Sequence, residues 1–375
     1  MSLETIQTRG LREALLAPLL RTTLQWALKP AFSPRWSIPA QRRWLAGVSR
    51  LSLPPRGVVI EPTTVAGVPG EWVRPRDATP RRGTLLYLHG GAYCVGSPAT
   101  HRPITGALAL ATGMAVLVLD YRLAPEHPHP AALHDALAAC RALRAADPGS
   151  GPLVLAGDSA GAGLALATTL ALRDAGEPLP AALYLIAPWV DLTLQQLPAP
   201  TPGEAMLSAA WAGDCAARYL AGGDAAQPLV SPLHADLRGL PPVVMQLGTD
   251  DLLHAEGLRL HGALQQAGVA VQCEVVQRRW HVFQLHAGAL PCADEALQRA
   301  GEFIGGQVDA AAAEATHGDA VQDHGVVILG GGMSGLCTAV QLKKAGQHDF
   351  VVLEQSPGLG GTWWDNHYPG AQEIG

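Results

Sequence analysis

The chain has 375 residues, enough for one large domain and a small addition. Hydrophobic residues make up 48% and charged residues 15%, which fits a well-buried core and excludes a disordered chain. A net charge of −6 offers no basic footprint for nucleic acid, and the longest apolar runs are strand-length, too short for a membrane span.

Residues 1–50 read as cap helices. Leu11, Leu15, Leu16, Leu19, Leu20 and Leu24 recur at helical spacing and predict an amphipathic helix. A helix lying on a membrane surface is the other reading of that spacing. Met1–Pro30 holds Glu4, scattered arginines and Pro18 but no clean apolar signal core or small-residue cleavage site, so export is not expected. Strands are then predicted at Val58–Val65, Gly70–Arg74, Thr84–Leu88, Ala115–Asp120, Leu153–Ala156, Ala182–Ile186, Val243–Leu247 and Val271–Val276. Helices are predicted at Pro103–Thr112, Ala131–Ala145, Gly161–Ala175, Ala255–Ala267 and Cys292–Gly305. This alternation implies an α/β fold with a mostly parallel eight-stranded sheet, helices on both faces and an antiparallel edge. Thr193–Pro228 breaks the rhythm and, with a helix expected over Met206–Leu220, reads as an inserted cap. Trp189, just before the insert, reads either as a pocket wall or as packing.

Gly157-Asp158-Ser159-Ala160-Gly161 directly follows an apolar strand and precedes a helix. A strand feeding Gly-x-Ser-x-Gly is the sequence form of a nucleophile elbow: the glycines let strand and helix backbones approach while the serine hydroxyl projects above the sheet. A hydroxyl needs a base and a site for the oxyanion it creates. His89-Gly90-Gly91-Ala92 ends a strand, and the backbone N–H groups of Gly90, Gly91 and Ala160 are the candidate oxyanion donors. The base and its acid are expected late in the chain, in the order Ser, Asp, His. His281 follows the last strand of the sheet, and Asp250-Asp251 follows the strand before it, on loops that share one sheet edge.

The chain resembles the hormone-sensitive-lipase-like branch of the α/β-hydrolase esterases over about residues 10–306. The matching pieces are His89-Gly90-Gly91-Ala92, Asp120-Tyr121-Arg122-Leu123-Ala124-Pro125-Glu126-His127-Pro128, Gly157–Gly161, Asp251–Gly257 and His281. The resemblance implies an α/β-hydrolase fold and hydrolysis of short to medium acyl esters or lactones through a serine acyl-enzyme, with Ser159, Asp251 and His281 as triad and no cofactor or metal. Family register against Glu256-Gly257 favours Asp251, although the family's proline and second aspartate are missing there, and Asp250 stays open as a rival. His127 and His129 have the spacing of a metal-ligand pair but fall in this family segment. His89 reads as structural, with Tyr121, Arg122 and Glu126 bracing the loop. A non-catalytic receptor on the same fold would lack the histidine. Dimers are common among related enzymes, so a homodimer is a further expectation.

After residue 306 the character changes. Residues 307–324 read as an Ala-rich acidic linker, and 325–375 as an incomplete Rossmann-like unit. A short strand leads into Gly330, Gly332 and Gly335 in a Gly-x-Gly-x-x-Gly pattern, then a helix, then a strand ending at Glu354, 19 positions past the last glycine, where a ribose-binding carboxylate belongs. This segment resembles the start of flavin-dependent Baeyer–Villiger monooxygenases, echoed again by Gly360-Gly361-Thr362-Trp363-Trp364-Asp365. The resemblance implies FAD in a longer parent protein. One βαβ unit cannot enclose a flavin, so the reading is a truncated fusion whose glycine motif is vestigial here. The six cysteines (Cys94, Cys140, Cys215, Cys273, Cys292, Cys337) form no close metal-type pair and read as free thiols of a cytoplasmic protein.

Overall fold

The computed structural model describes residues 2–50, 56–77, 81–146, 151–199, 203–318, 325–330 and 332–353. In chain order the elements are β1 (Ser2–Ile6), α1 (Leu11–Ala27), α2 (Ile38–Ser49), β2 (Val58–Val65), β3 (Val68–Pro75), β4 (Arg81–Leu88), α3 (Arg102–Thr112), β5 (Met114–Leu119), α4 (Ala131–Ala146), β6 (Leu153–Asp158), α5 (Ala160–Asp174), β7 (Ala182–Ile186), α6 (Ala209–Leu220), β8 (Val243–Gly248), α7 (His254–Gln266), β9 (Val271–Val276), α8 (Pro291–Gly318), β10 (Val326–Leu329), α9 (Met333–Lys344) and β11 (Phe350–Leu353).

The chain divides into two compact units, residues 1–314 and 315–375. The first is built on a sheet in the order β1-β9-β8-β7-β6-β4-β5-β3-β2. Every neighbouring pair is parallel except β2 with β3 and β3 with β5. The sheet has nine strands, not the eight expected. The extra one is β1, which pairs Ser2–Ile6 with Gln272–Val276 at the edge, where residues 1–50 were read as helical throughout. Its sequence, Ser-Leu-Glu-Thr-Ile, has no apolar run, and only backbone pairing with a strand about 270 positions away makes it a strand.

The central strands alternate strictly. Leu86, Leu88, Leu117, Leu119, Leu155, Leu185 and Met245 pack on one face with Leu164, Leu260 and Leu264. Leu85, Tyr87, Val116, Val118, Val154, Tyr184 and Val244 pack on the other with Ile104, Leu108, Leu297 and Ile304. Both faces are apolar because helices cover both, and each fully buried Leu or Val contributes roughly 1.5–3 kcal/mol.

Two ion pairs tie α1 to the sheet's loops. Arg21 meets Asp250 at 2.7 Å, and its guanidinium lies over the Trp280 ring. Glu13 and Arg279 form a fully buried pair, with Arg279 also donating to Thr8 at 2.9 Å. The insert joins the same layer through Trp211, which stacks on Phe32 and donates its Nε1–H to Gln41.

The helix α8 runs on through Gly318, so the stretch read as a linker from residue 307 begins as helix. Four consecutive alanines, Ala310–Ala313, favour that continuation. In the second unit β10 and β11 pair in parallel, Val326 opposite Phe350, around α9. Gly335 lies so close to the Gly330 carbonyl that a Cβ there would overlap it.

Because the Glu13–Arg279 pair is buried, removing one partner leaves a desolvated charge. Glu13→Ala is expected to cost about 3–5 kcal/mol, read as a lowered urea midpoint. A change within about 0.5 kcal/mol would show that the pair does not fasten α1.

Candidate active site

β6 ends in the elbow. Ser159 has φ 53° and ψ −122°, a conformation held by its N–H donating to the Ile186 carbonyl at 2.8 Å and its carbonyl accepting from Trp189 N–H at 3.0 Å. A Cβ at Gly161 would overlap the Leu88 carbonyl oxygen, so only glycine lets the first turn of α5 press against β4. Ala160 opens α5, and its N–H belongs to the first turn, where no intrahelical acceptor exists.

The loops after β8 and β9 bring Asp251 and His281 together. His281 Nδ1 lies 2.9 and 3.0 Å from the two carboxylate oxygens, and both side chains are buried. Asp251 also accepts the Leu253 N–H at 2.8 Å. Burial pushes His281 down, but the Asp251 carboxylate, with Glu204 and Asp158 beyond it, outweighs burial and raises the imidazole above its ordinary 6.5. Asp250 is turned instead to Arg21 and Thr249, so the geometry separates the two aspartates that the sequence left open.

Ser159, His281, Gly90 and Gly91 line one cavity of about 470 Å³, walled by Leu24 and Phe32 from the N-terminal segment, Leu45 from α2, and Met206 and Trp211 from the insert. Among the described residues no hydrogen bond joins the Ser159 hydroxyl to His281. Nε2 is the ring nitrogen left over for it, and such contacts commonly tighten only with substrate in place. Trp189 does not line the cavity; it is buried beside Tyr93.

One expected oxyanion donor needs correction. The Gly90 N–H donates to Asp158 Oδ1 at 3.0 Å and is not free for substrate. Asp158 also accepts from Tyr87 at 2.7 Å and meets His101 Nε2 at 3.2 Å. Burial opposes its charge, yet His101, Tyr87 and Gly90 together hold its pKa below the usual carboxylate value. Among the described residues no acceptor is recorded for the N–H groups of Gly91 and Ala92. Ala92, with φ 53°, is a candidate donor that sequence reasoning passed over, since it stands where a third glycine would have signalled it. His89 stacks on Tyr121, whose hydroxyl donates to the His89 carbonyl at 2.6 Å. Arg122 grips Asp135, and Glu126 pairs with Arg42 at 2.8 Å.

Glu204 was also missed. Its buried carboxylate accepts N–H groups from Met206 at 2.6 Å, Leu207 at 2.9 Å and Leu252 at 2.8 Å, joining the insert to the loop that carries Asp251. The signal was present: Glu204 is the sole charged residue between Thr193 and Gly213.

In the second unit Gly330 has φ 93°, Gly332 stands at the N-terminus of α9, and a Cβ at Gly335 would overlap the Gly330 carbonyl oxygen. Glu354 and the Gly360–Asp365 echo lie outside the described residues.

A family model for the α/β hydrolase fold matches residues 85–285, and one for an NAD(P)-binding Rossmann-like domain matches 328–374. The chain is 46% identical over 256 residues to an acetyl-hydrolase of Streptomyces hygroscopicus, covering 68% of this chain and 84% of that protein. Among solved structures, EstE5 is 36% identical with a TM-score of 0.72, covering 80% of this chain and all of its own. An esterase from the bacterial hormone-sensitive lipase family gives the same identity and score over 80% and 99%. The chain belongs to the α/β-hydrolase family, in its hormone-sensitive-lipase-like branch, and is a carboxylic ester hydrolase.

Proposed function

We propose that Ser159, His281 and Asp251 form the catalytic triad, acting on short to medium acyl esters or lactones. The observation that carries this reading is the buried Asp251–His281 contact at 2.9 Å beside the cavity that Ser159 lines. Ser159 Oγ attacks the acyl carbon while His281 Nε2 takes its proton. The N–H groups of Gly91, Ala92 and Ala160 hold the oxyanion. His281 then protonates the departing alcohol and activates water to free the acid. Asp251 keeps the proton on Nδ1 and balances the imidazolium. Residues 1–50 and 193–228 act as the cap. The substrate size is supported by a cavity of about 470 Å³, by the acetyl-hydrolase name of one relative, and by a p-nitrophenyl butyrate soak of EstE5.

We also propose that residues 325–375 begin a flavin-dependent Baeyer–Villiger-type monooxygenase in a longer parent, which would bind FAD and make the ester or lactone that the first unit hydrolyses. The glycine turn and the Rossmann-like match support this reading. A bound dinucleotide would supply redox chemistry that the hydrolytic site does not use. Six free cysteines accord with a cytoplasmic setting.

Ser159→Ala is expected to abolish labelling by a fluorophosphonate probe, and Asp251→Asn to lower kcat by up to ~10⁴-fold, with Asp250→Asn close to wild type. Equal damage from both aspartate changes would undo the assignment. The base must be neutral to act, and its pKa is raised, so kcat/KM should climb with pH through a value above 6.5. Glu204→Gln removes one of the charges that raises His281 and should move that limb to lower pH; a merely loosened loop would change kcat without moving the limb. For the second unit, a longer parent given a cyclic ketone and NADPH should release the hydroxy acid. Accumulation of lactone alone would sever the two activities.

A further inference from the structure

Residues 1–50 present a surface unlike the rest of the first unit. Of the large apolar side chains exposed among its described residues, all but Leu110 and Leu258 come from this stretch. Four lie along α1: Leu11 at 77% exposure, Leu15 at 65%, Leu19 at 61% and Trp26 at 80%. Their spacing of four, four and seven places them in one line on the helix. At about 100° per residue, that line borders the face carrying Thr23 and Ala27, which wall the cavity. Thr23 is itself exposed, so the cavity reaches the surface beside the stripe.

Charge singles out the same stretch. It holds eight arginines and lysines against two glutamates, a net of +6 within a chain of −6. Glu13 is already spent on Arg279. Arg9, Arg12, Arg35, Arg43 and Arg50 are exposed, and no ion pair is recorded for them among the described residues. Exposed apolar side chains with a tryptophan, in one segment with exposed arginines outside any ion pair, suit the boundary of an anionic bilayer. A second copy of this chain is the poorer occupant, because a two-fold contact would set the exposed arginines of one copy against those of the other.

We propose that this face docks the enzyme on an anionic lipid surface and brings the cavity opening against it, so that lipid-dissolved esters enter beside Thr23. Docking stands apart from the catalytic assignment; only the delivery of substrate rests on it.

The test is flotation of the full chain with vesicles of equal phosphatidylglycerol and phosphatidylcholine, against phosphatidylcholine alone, at low salt. The protein should float with the anionic vesicles only, and 0.5 M salt should release most of it. Leu15→Glu with Leu19→Glu should weaken vesicle binding by at least about tenfold, while hydrolysis of dissolved p-nitrophenyl acetate stays within about twofold. Should that variant fail to fold, Arg35→Ala with Arg43→Ala gives a second reading, with the same weakening expected. Absence of flotation, or equal flotation of folded variants, overturns the proposal. So does a wild-type dimer in sedimentation that the leucine variant splits, since the stripe would then belong to a second copy. Loss of esterase activity in Ser159→Ala with flotation intact would leave docking standing by itself.

Discussion

The contact between Asp251 and His281 is made by two loops that have no covalent reason to meet, and the surrounding structure is arranged to bring them together. The loops leave adjacent parallel strands, β8 and β9, and are stitched directly: Asp250 N–H donates to the Arg279 carbonyl at 2.8 Å and Arg278 N–H to Thr249 Oγ1 at 2.7 Å. Each is then held from outside. Arg21 holds the first through Asp250, Glu13 holds the second through Arg279, and Glu204 takes the Leu252 N–H beside the acid itself. The carboxylate therefore keeps its partner in one orientation before substrate arrives. With the proposed triad that is preorganisation: no reorganisation cost falls on the step in which imidazolium charge would appear.

Much of this was legible in the sequence, and what was legible is local. The elbow depends on five consecutive residues, and its glycines announce the close approach of β4, β6 and α5. The central strands are continuous apolar runs because helices cover both of their faces. The features that escaped depend on partners far away in the chain. β1 is a strand by virtue of β9, and Glu204 matters because of Leu252. Gly90 was misassigned because its N–H is committed to Asp158, 68 positions on, and nothing in His-Gly-Gly-Ala reveals that. The choice between Asp250 and Asp251 was open for the same reason. Adjacent residues of one type differ only in which way they face, and Asp250 faces Arg21 while Asp251 faces His281.

Two aspartate–histidine contacts lie near the nucleophile, and they do opposite work. Asp251 faces an imidazole beside the cavity and is the acid proposed to support proton transfer. Asp158 is next to Ser159 in sequence, yet the elbow turns consecutive side chains apart, and its carboxylate spends itself on Tyr87, His101 and the Gly90 N–H. The cost of burying that charge is offset by these three partners, and the return is positional. A hydrogen bond from Gly90 fixes the start of the oxyanion loop relative to the residue beside the nucleophile. The next N–H groups in that loop, on Gly91 and Ala92, follow directly from that fixed point. With the proposed triad, the acid adjoining Ser159 thus shapes the oxyanion loop and not the base, and the Gly90 N–H serves that loop and not the substrate.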